Sequence, residues 1–167
     1  NQQIIRTIPN TPASIKKGVT AVYFNRNCIN KTINQSILLM KAVGEAVRVD
    51  DENLMDAYTA VSGSGPAYIF YFVEAIISAA KEMGINEKNA RILAEKTLIG
   101  SAYLLENSQA RAQDLRKAVT SPKGTTEAGL NVLMQKDAFF NLTSRAIQKA
   151  QKRGRELGKS WSLTYRM

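Results

Sequence analysis

The sequence predicts a mainly α fold, helical from Asp51 onward and preceded by a β-β-α-β unit over residues 1–50. Three observations predict it. Runs of β-branched and aromatic residues are confined to the first fifty positions. Beyond them apolar residues recur at helical spacing. Gly44, the Gly63-Ser64-Gly65-Pro66 run and Gly84 fall where one pattern gives way to the next.

Ile4 to Ile8 is a short strand halted by Pro9 and Pro12, and Val19 to Phe24 is a second strand following Gly18. Thr32 to Val43 sets Ile33, Ile37, Leu38, Met40 and Ala42 at amphipathic-helix positions, with Gly44 as the stop, and Ala46 to Val49 is a third strand. Three short strands cannot bury both faces and both edges, so this unit needs more sheet than it brings.

Asp51 and Glu52 place negative charge at the start of a helix that runs through Leu54, Met55, Ala57, Tyr58 and Val61. Gly63-Ser64-Gly65-Pro66 is expected to break it, with Pro66 at the first position of the next helix, where its missing N–H costs nothing. That next helix, Ala67 to Met83 with Gly84 as its stop, carries one charge, Glu74, between residues 67 and 80. Fourteen residues are too few for a bilayer, which takes roughly 20, so a helix apolar all round implies burial in protein, against a second subunit. Asn86 is the expected N-cap of a helix whose one face holds Ala90, Leu93, Ala94, Thr97, Leu98, Ser101, Leu104 and Leu105. Gly100, Ser101 and Ala102 would allow another helix to approach closely. A short helix, Ala112 to Val119, leads to the loop Thr120 to Thr126, then to helices through Leu130 and Leu133 and from Phe139 to Leu157.

The counts exclude several chemistries. With no histidine in 167 residues there is no Ser-His or Cys-His nucleophile pair, no imidazole base and no histidine metal site. Cys28 alone forms neither a disulfide nor a thiolate cluster, and no metal site is expected. The net charge of +9 is unevenly spread: +5 over residues 1–50, −4 over 51–110 and +8 over 111–167. No targeting segment opens the chain, and Asn1 in place of an initiator methionine suggests a fragment or a processed chain. The expected location is cytoplasmic.

Gly63-Ser64-Gly65 has two glycines of a dinucleotide fingerprint, but Tyr68 and the preceding helix contradict that reading, leaving a helix-to-helix turn. Glu74 is a candidate buried carboxylate, or else a paired or rim residue. Ser121-Pro122-Lys123-Gly124-Thr125-Thr126 enters a helix, so its N–H groups, hydroxyls and the Lys123 ammonium could cradle a carboxylate or phosphate. A Pro-Gly turn with a threonine N-cap explains the same residues. Asn10-Thr11-Pro12 is either a polar edge loop or plain turn chemistry. The basic terminal helix alternates its charges with Gln and Glu and reads as a solvated face.

Several motifs occur together and in order. Ile8-Pro9-Asn10-Thr11-Pro12-Ala13, Gly18-Val19-Thr20-Ala21, Ala42-Val43-Gly44 and Val47-Arg48-Val49-Asp50 come first. The run Leu54 to Tyr68, containing Ser62-Gly63-Ser64-Gly65-Pro66-Ala67-Tyr68, follows. Val119-Thr120-Ser121-Pro122-Lys123-Gly124-Thr125-Thr126 and then Arg153 with Glu156-Leu157-Gly158 complete the set. Over residues 4–159 the chain resembles pyrroline-5-carboxylate reductase.

That resemblance implies reduction of the ring imine of 1-pyrroline-5-carboxylate to L-proline by NADPH or NADH, the last step of proline biosynthesis. Residues 1–50 would be the C-terminal portion of an incomplete NAD(P)-binding Rossmann domain. Residues 51–167 would be an all-helical dimerisation and substrate-binding domain, pairing in a homodimer or larger homo-oligomer. The resemblance makes Thr126 the catalytic residue that orients the imine, and Ser121, Gly124, Thr125 and Thr126 the holders of the substrate. It places Asn10 and Thr11 beside the nicotinamide. Neither nucleic acid nor membrane is implied as a partner. The family more often has Gly or Asn where Lys123 stands, and a positive φ there would cost lysine about 1 kcal/mol. The ending Ser160 to Met167 matches nothing in the family. The opening strand and glycine-rich loop are not in the 167 residues, so the chain is expected to be inactive alone. The competing readings are a catalytically dead helical dimerisation module or gene remnant, and a basic nucleic-acid-binding helical domain.

Overall fold

In a computed structural model, which describes residues 2–164 and side chains as far as Gly158, the first fifty residues form the expected β-β-α-β unit. Strands β1 (Ile5–Ile8), β2 (Gly18–Phe24) and β3 (Gly44–Val49) form one sheet in the order β1-β2-β3. β1 runs antiparallel to β2, Ile5 opposite Phe24 and Ile8 opposite Ala21. β3 runs parallel to β2, and the crossover between them is helix α1 (Asn30–Lys41), as a parallel pair requires. The side chains of β2 alternate between two covered faces. Ala21 packs with Val49 and Met55, joined by Ile8, Tyr23 and Tyr58. Thr20, Val22 and Phe24 point the other way and are also buried.

Gly18 and Gly44 start the parallel pair side by side. Gly44 has φ 142°, and a Cβ on it would lie 2.0 Å from the Gly18 carbonyl oxygen, so only glycine fits. No strand pairs with the outer edge of β1 or of β3 among the described residues, which is the shortage of sheet that the short strands imply.

The Gly63-Ser64-Gly65-Pro66 run does not break the chain into two helices joined by a turn. A 3₁₀ turn (Glu52–Leu54), helix α2 (Met55–Tyr58), a π turn (Thr59–Gly63) and helix α3 (Gly65–Glu82) follow one another almost without interruption. The N–H of Ser64 donates to the Thr59 carbonyl five residues back (2.9 Å), and Pro66 is the second residue of α3 rather than its first. The π turn inserts one residue where proline cannot supply a donor, a local adjustment that lets the helix continue. The helical run from Glu52 to Glu82 therefore has 31 residues, with mean hydropathy 1.3 over its most apolar window. Length alone does not keep it out of a bilayer, contrary to the fourteen-residue argument.

Within one chain α3 is bare instead of buried: Ala80 is its one buried residue, while Phe70 and Tyr71 are 61% and 72% exposed. Glu74 is exposed as well, so it is not a buried carboxylate in this chain. Gly84, at φ 88°, turns the chain out of α3, and the Asn86 side chain caps helix α4 (Glu87–Asn107) by accepting from the Asn89 N–H at 3.0 Å. Helices α5 (Ala112–Ala118) and α6 (Thr125–Met134), a 3₁₀ turn (Gln135–Asp137) and helix α7 (Ala138–Thr164) complete the order.

By contacts the chain divides into two compact units, residues 1–68 with 144–167, and residues 69–143. The sequence boundary at 50/51 falls inside the first. There Arg6 of β1 reaches Glu52 (3.5 Å) and Asp56 (3.9 Å), and Gly154 of α7 lies so near Asp56 that a Cβ would sit 3.3 Å from its Oδ1. In the second unit the Phe72 and Phe139 rings meet at 6.1 Å, and Ala90 and Ala94 are buried. The ending Ser160 to Met167 lies beyond the described side chains.

Candidate functional site

The loop from α5 to α6 is shaped by what ends one helix and starts the next. Arg116 and Lys117 in the last turn of α5 oppose its negative end. Thr120 closes that turn: its hydroxyl donates to the Arg116 carbonyl (2.6 Å) and its N–H to that of Lys117 (3.1 Å). The chain then reverses through Ser121 to Gly124, with the Gly124 N–H donating to the Ser121 carbonyl at 3.1 Å. Gly124, not a threonine, is the N-cap of α6, and it makes no side-chain cap. A Cβ there would approach the Ser121 carbonyl oxygen to 3.1 Å, which favours glycine at this point of the turn.

Thr125 and Thr126 are the first two residues of α6. Their N–H groups and that of Glu127 have no acceptor within the helix, so they present the positive helix end to whatever lies before it. Ser121, Thr125 and Thr126 are exposed, and their hydroxyls are engaged by no group among the described residues. Glu127 reaches back past the N-cap to accept the N–H of Lys123, the residue before it, at 2.8 Å. Gly124 and Glu127 stand at N-cap and N3 spacing, a signal that was present in the sequence. Lys123 and Glu127 bring opposite charges to the loop, so the positive field before α6 comes from the helix N–H groups rather than from excess side-chain charge.

Lys123 has φ 61°, a left-handed conformation that costs a residue with a side chain about 1–2 kcal/mol. Lys123→Gly removes that strain but loosens the unfolded chain by about 0.5–1 kcal/mol. The expected net gain is about 0.5–1 kcal/mol in a urea unfolding curve, whereas Lys123→Ala, which keeps a Cβ, gains nothing.

Asn10 and Thr11 lie in the first unit and the Ser121–Thr126 loop in the second. Asn10 precedes a 3₁₀ turn (Thr11–Ile15) without capping it. Its side chain is engaged elsewhere: Oδ1 accepts the Val19 N–H (2.9 Å) and Nδ2 donates to the Ser62 carbonyl (3.2 Å). Thr11 is exposed. The turn from β2 into α1, Asn25 to Ile29, contains no glycine, and most of its N–H groups already have acceptors. Asn27 N–H donates to Asn25 Oδ1 (3.3 Å), Cys28 N–H to the Asn25 carbonyl (3.0 Å) and Ile29 N–H to Gln3 Oε1 (3.1 Å). Among the described residues no group of three or more Cys, Asp or Glu side chains is placed to hold a metal ion.

A family model described as "Pyrroline-5-carboxylate reductase dimerisation" matches residues 52–157. A pyrroline-5-carboxylate reductase of Pseudomonas aeruginosa is 38% identical over 154 residues, which cover 92% of this chain and 56% of that relative. Among solved structures, a pyrroline-5-carboxylate reductase from Coxiella burnetii is 36% identical with a TM-score of 0.88, matched over 93% of this chain and 57% of that one. A pyrroline carboxylate reductase from Plasmodium falciparum, determined with NADP bound, is 28% identical with a TM-score of 0.83, over 95% and 60%. The chain thus spans somewhat more than half the length of the relatives it matches, and it matches their C-terminal part.

Proposed function

Because the chain belongs to the pyrroline-5-carboxylate reductase dimerisation family, we propose that it forms the substrate-holding and subunit-pairing part of an enzyme that reduces 1-pyrroline-5-carboxylate to L-proline, closing proline biosynthesis in the cytoplasm. The observation that carries this reading is the loop Ser121 to Thr126. It joins unsatisfied helix-terminal N–H groups to three unengaged hydroxyls.

The substrate asks for little more than this. Its carboxylate suits the N–H groups of Thr125 and Thr126 and the Ser121 hydroxyl, at a helix end that favours negative charge. The close Gly124 turn lets the ligand approach backbone. With the carboxylate held there, the Thr126 hydroxyl donates to the ring nitrogen and aligns the C=N bond, with water replacing the proton passed to nitrogen. A reduced nicotinamide, when bound, supplies the hydride that reaches the ring carbon. No protein nucleophile enters, in keeping with a chain that has no histidine.

Residues 1–50 read as the closing part of a Rossmann domain and residues 51–167 as the helical domain. The turn from β2 into α1 has no glycine and leaves few of its own N–H groups for a pyrophosphate, so it does not fit the phosphates of the cofactor. We assign them to a part of the enzyme outside the 167 residues, leaving the Asn10-Thr11 loop as the contribution of this chain beside the nicotinamide of NADPH or NADH. A second copy of the chain is the partner for the bare apolar helices.

The test mixes this chain with the N-terminal part of the Pseudomonas aeruginosa relative that it does not cover, then supplies NADPH and 1-pyrroline-5-carboxylate. Proline should form with both pieces and with neither alone. Pieces that associate yet yield no proline would favour a dimerisation module without catalysis.

A further inference from the structure

We propose that Asn10 is a positioning residue, its amide supplying the hydrogen-bond donor that Pro66 removes from the helix and thereby pinning the Thr11 loop to the π turn. In an unbroken α-helix the Ser62 carbonyl would accept from the N–H of residue 66. Residue 66 is proline and has none. The next N–H, that of Ala67, donates to the Ser64 carbonyl at 3.1 Å. The Ser62 carbonyl, at a half-buried position, is therefore left without a backbone donor, a state that native structures rarely tolerate. Asn10 Nδ2 fills the gap at 3.2 Å, across 52 residues of sequence.

The other end of the same amide accepts the Val19 N–H at the start of β2 (2.9 Å). One rigid planar group thus ties together the β1 exit, the β2 entry and the π turn. Both bonds need the amide: a carboxylate keeps the acceptor and loses the donor, and a short aliphatic side chain loses both. Gly63, beside the anchored carbonyl, lies against β1 as well, since a Cβ on it would sit 3.6 Å from Ile8 Cγ2. Thr11 follows directly, so the place it takes beside a nicotinamide is set by a hydrogen bond to the helical run. The pin itself stands on this geometry alone, and its effect on the reaction rests on the function proposed above.

The experiment is a double-mutant cycle on the thermal unfolding of the chain. Asn10→Asp keeps the acceptor for Val19 but removes the donor, and Pro66→Ala returns a backbone N–H to Ser62. Asn10→Asp should lower the melting temperature by about 2–4 °C, and by less than half as much in the Pro66→Ala background. Equal shifts in both backgrounds would overturn the pin. In the mixture with the N-terminal part of the relative, Asn10→Asp should raise KM for NADPH about tenfold with kcat little changed, a split that a stabilising role alone does not produce. Pro66→Ala, which draws Ser62 away from Asn10, should raise it in the same direction. A rise with Asn10→Asp and none with Pro66→Ala would make Asn10 a direct cofactor contact and overturn the positioning role. If the unsubstituted mixture makes no proline, the proposed function fails while the melting cycle still decides the pin.

Discussion

Phe70→Glu combined with Leu104→Glu should convert a paired chain of about 37 kDa into single chains that unfold without a sharp transition, read by sedimentation and by thermal melting. The expectation starts from bare apolar side chains: Phe70 of α3, Leu104 of α4, Val132 of α6 and Phe140 of α7 are each more than half exposed. Burying a phenylalanine or leucine is worth about 1.5–3 kcal/mol, and forcing a carboxylate into the same place costs further. Two such changes exceed what a marginally stable protein can lose. A chain that sediments as a folded monomer before substitution would remove the basis for this expectation. A chain that partitions into lipid vesicles instead of pairing would assign the apolar Glu52–Glu82 run to a bilayer.

The same bare side chains help to explain what could and could not be read from the residues. All three strands, the Gly44 and Gly84 stops and the Asn86 cap were legible, because each depends on a few neighbouring residues whose backbone preferences agree. The turn from Ser121 into α6 was legible for the same reason: a Pro-Gly turn running into a helix is local chemistry. The π turn was not, since Gly63-Ser64-Gly65-Pro66 is equally compatible with a break. The Ser62 carbonyl there takes its donor from Asn10, more than fifty positions away, a partner no local pattern reveals. The identity of the α6 cap turned on a choice between Gly124 and two adjacent threonines that differ little in intrinsic preference. Glu74 stayed open between a buried and a rim position for a third reason. Its helix is apolar enough to be buried, but sequence pattern reports that a face needs cover without reporting which molecule provides it, and within one chain nothing does.

Thr126→Val should lower kcat for imine reduction about 100-fold in the mixture with the N-terminal part, while KM for 1-pyrroline-5-carboxylate changes by no more than a few-fold. The substitution preserves shape and removes one hydroxyl. In the proposed arrangement the carboxylate contacts would come from backbone N–H groups and Ser121, which the substitution leaves in place, so ground-state binding should survive. What would be lost is a hydrogen bond to a nitrogen that gains a proton as the hydride arrives, an interaction stronger in the transition state than before it. Loss of such a positioned donor is worth about 10²–10⁴ in rate, and 100-fold corresponds to about 2.7 kcal/mol. Thr126→Ser, which retains the hydroxyl, should stay within about tenfold of the original. Thr125→Val leaves its own N–H in place, so its effect should fall on KM and be smaller. Thr126 is exposed at the second position of α6, so either replacement should move stability by less than about 0.5 kcal/mol, which a melting curve can establish first. A Thr126→Val protein that keeps most of its turnover would strip Thr126 of the catalytic role and leave the loop as a carboxylate holder only.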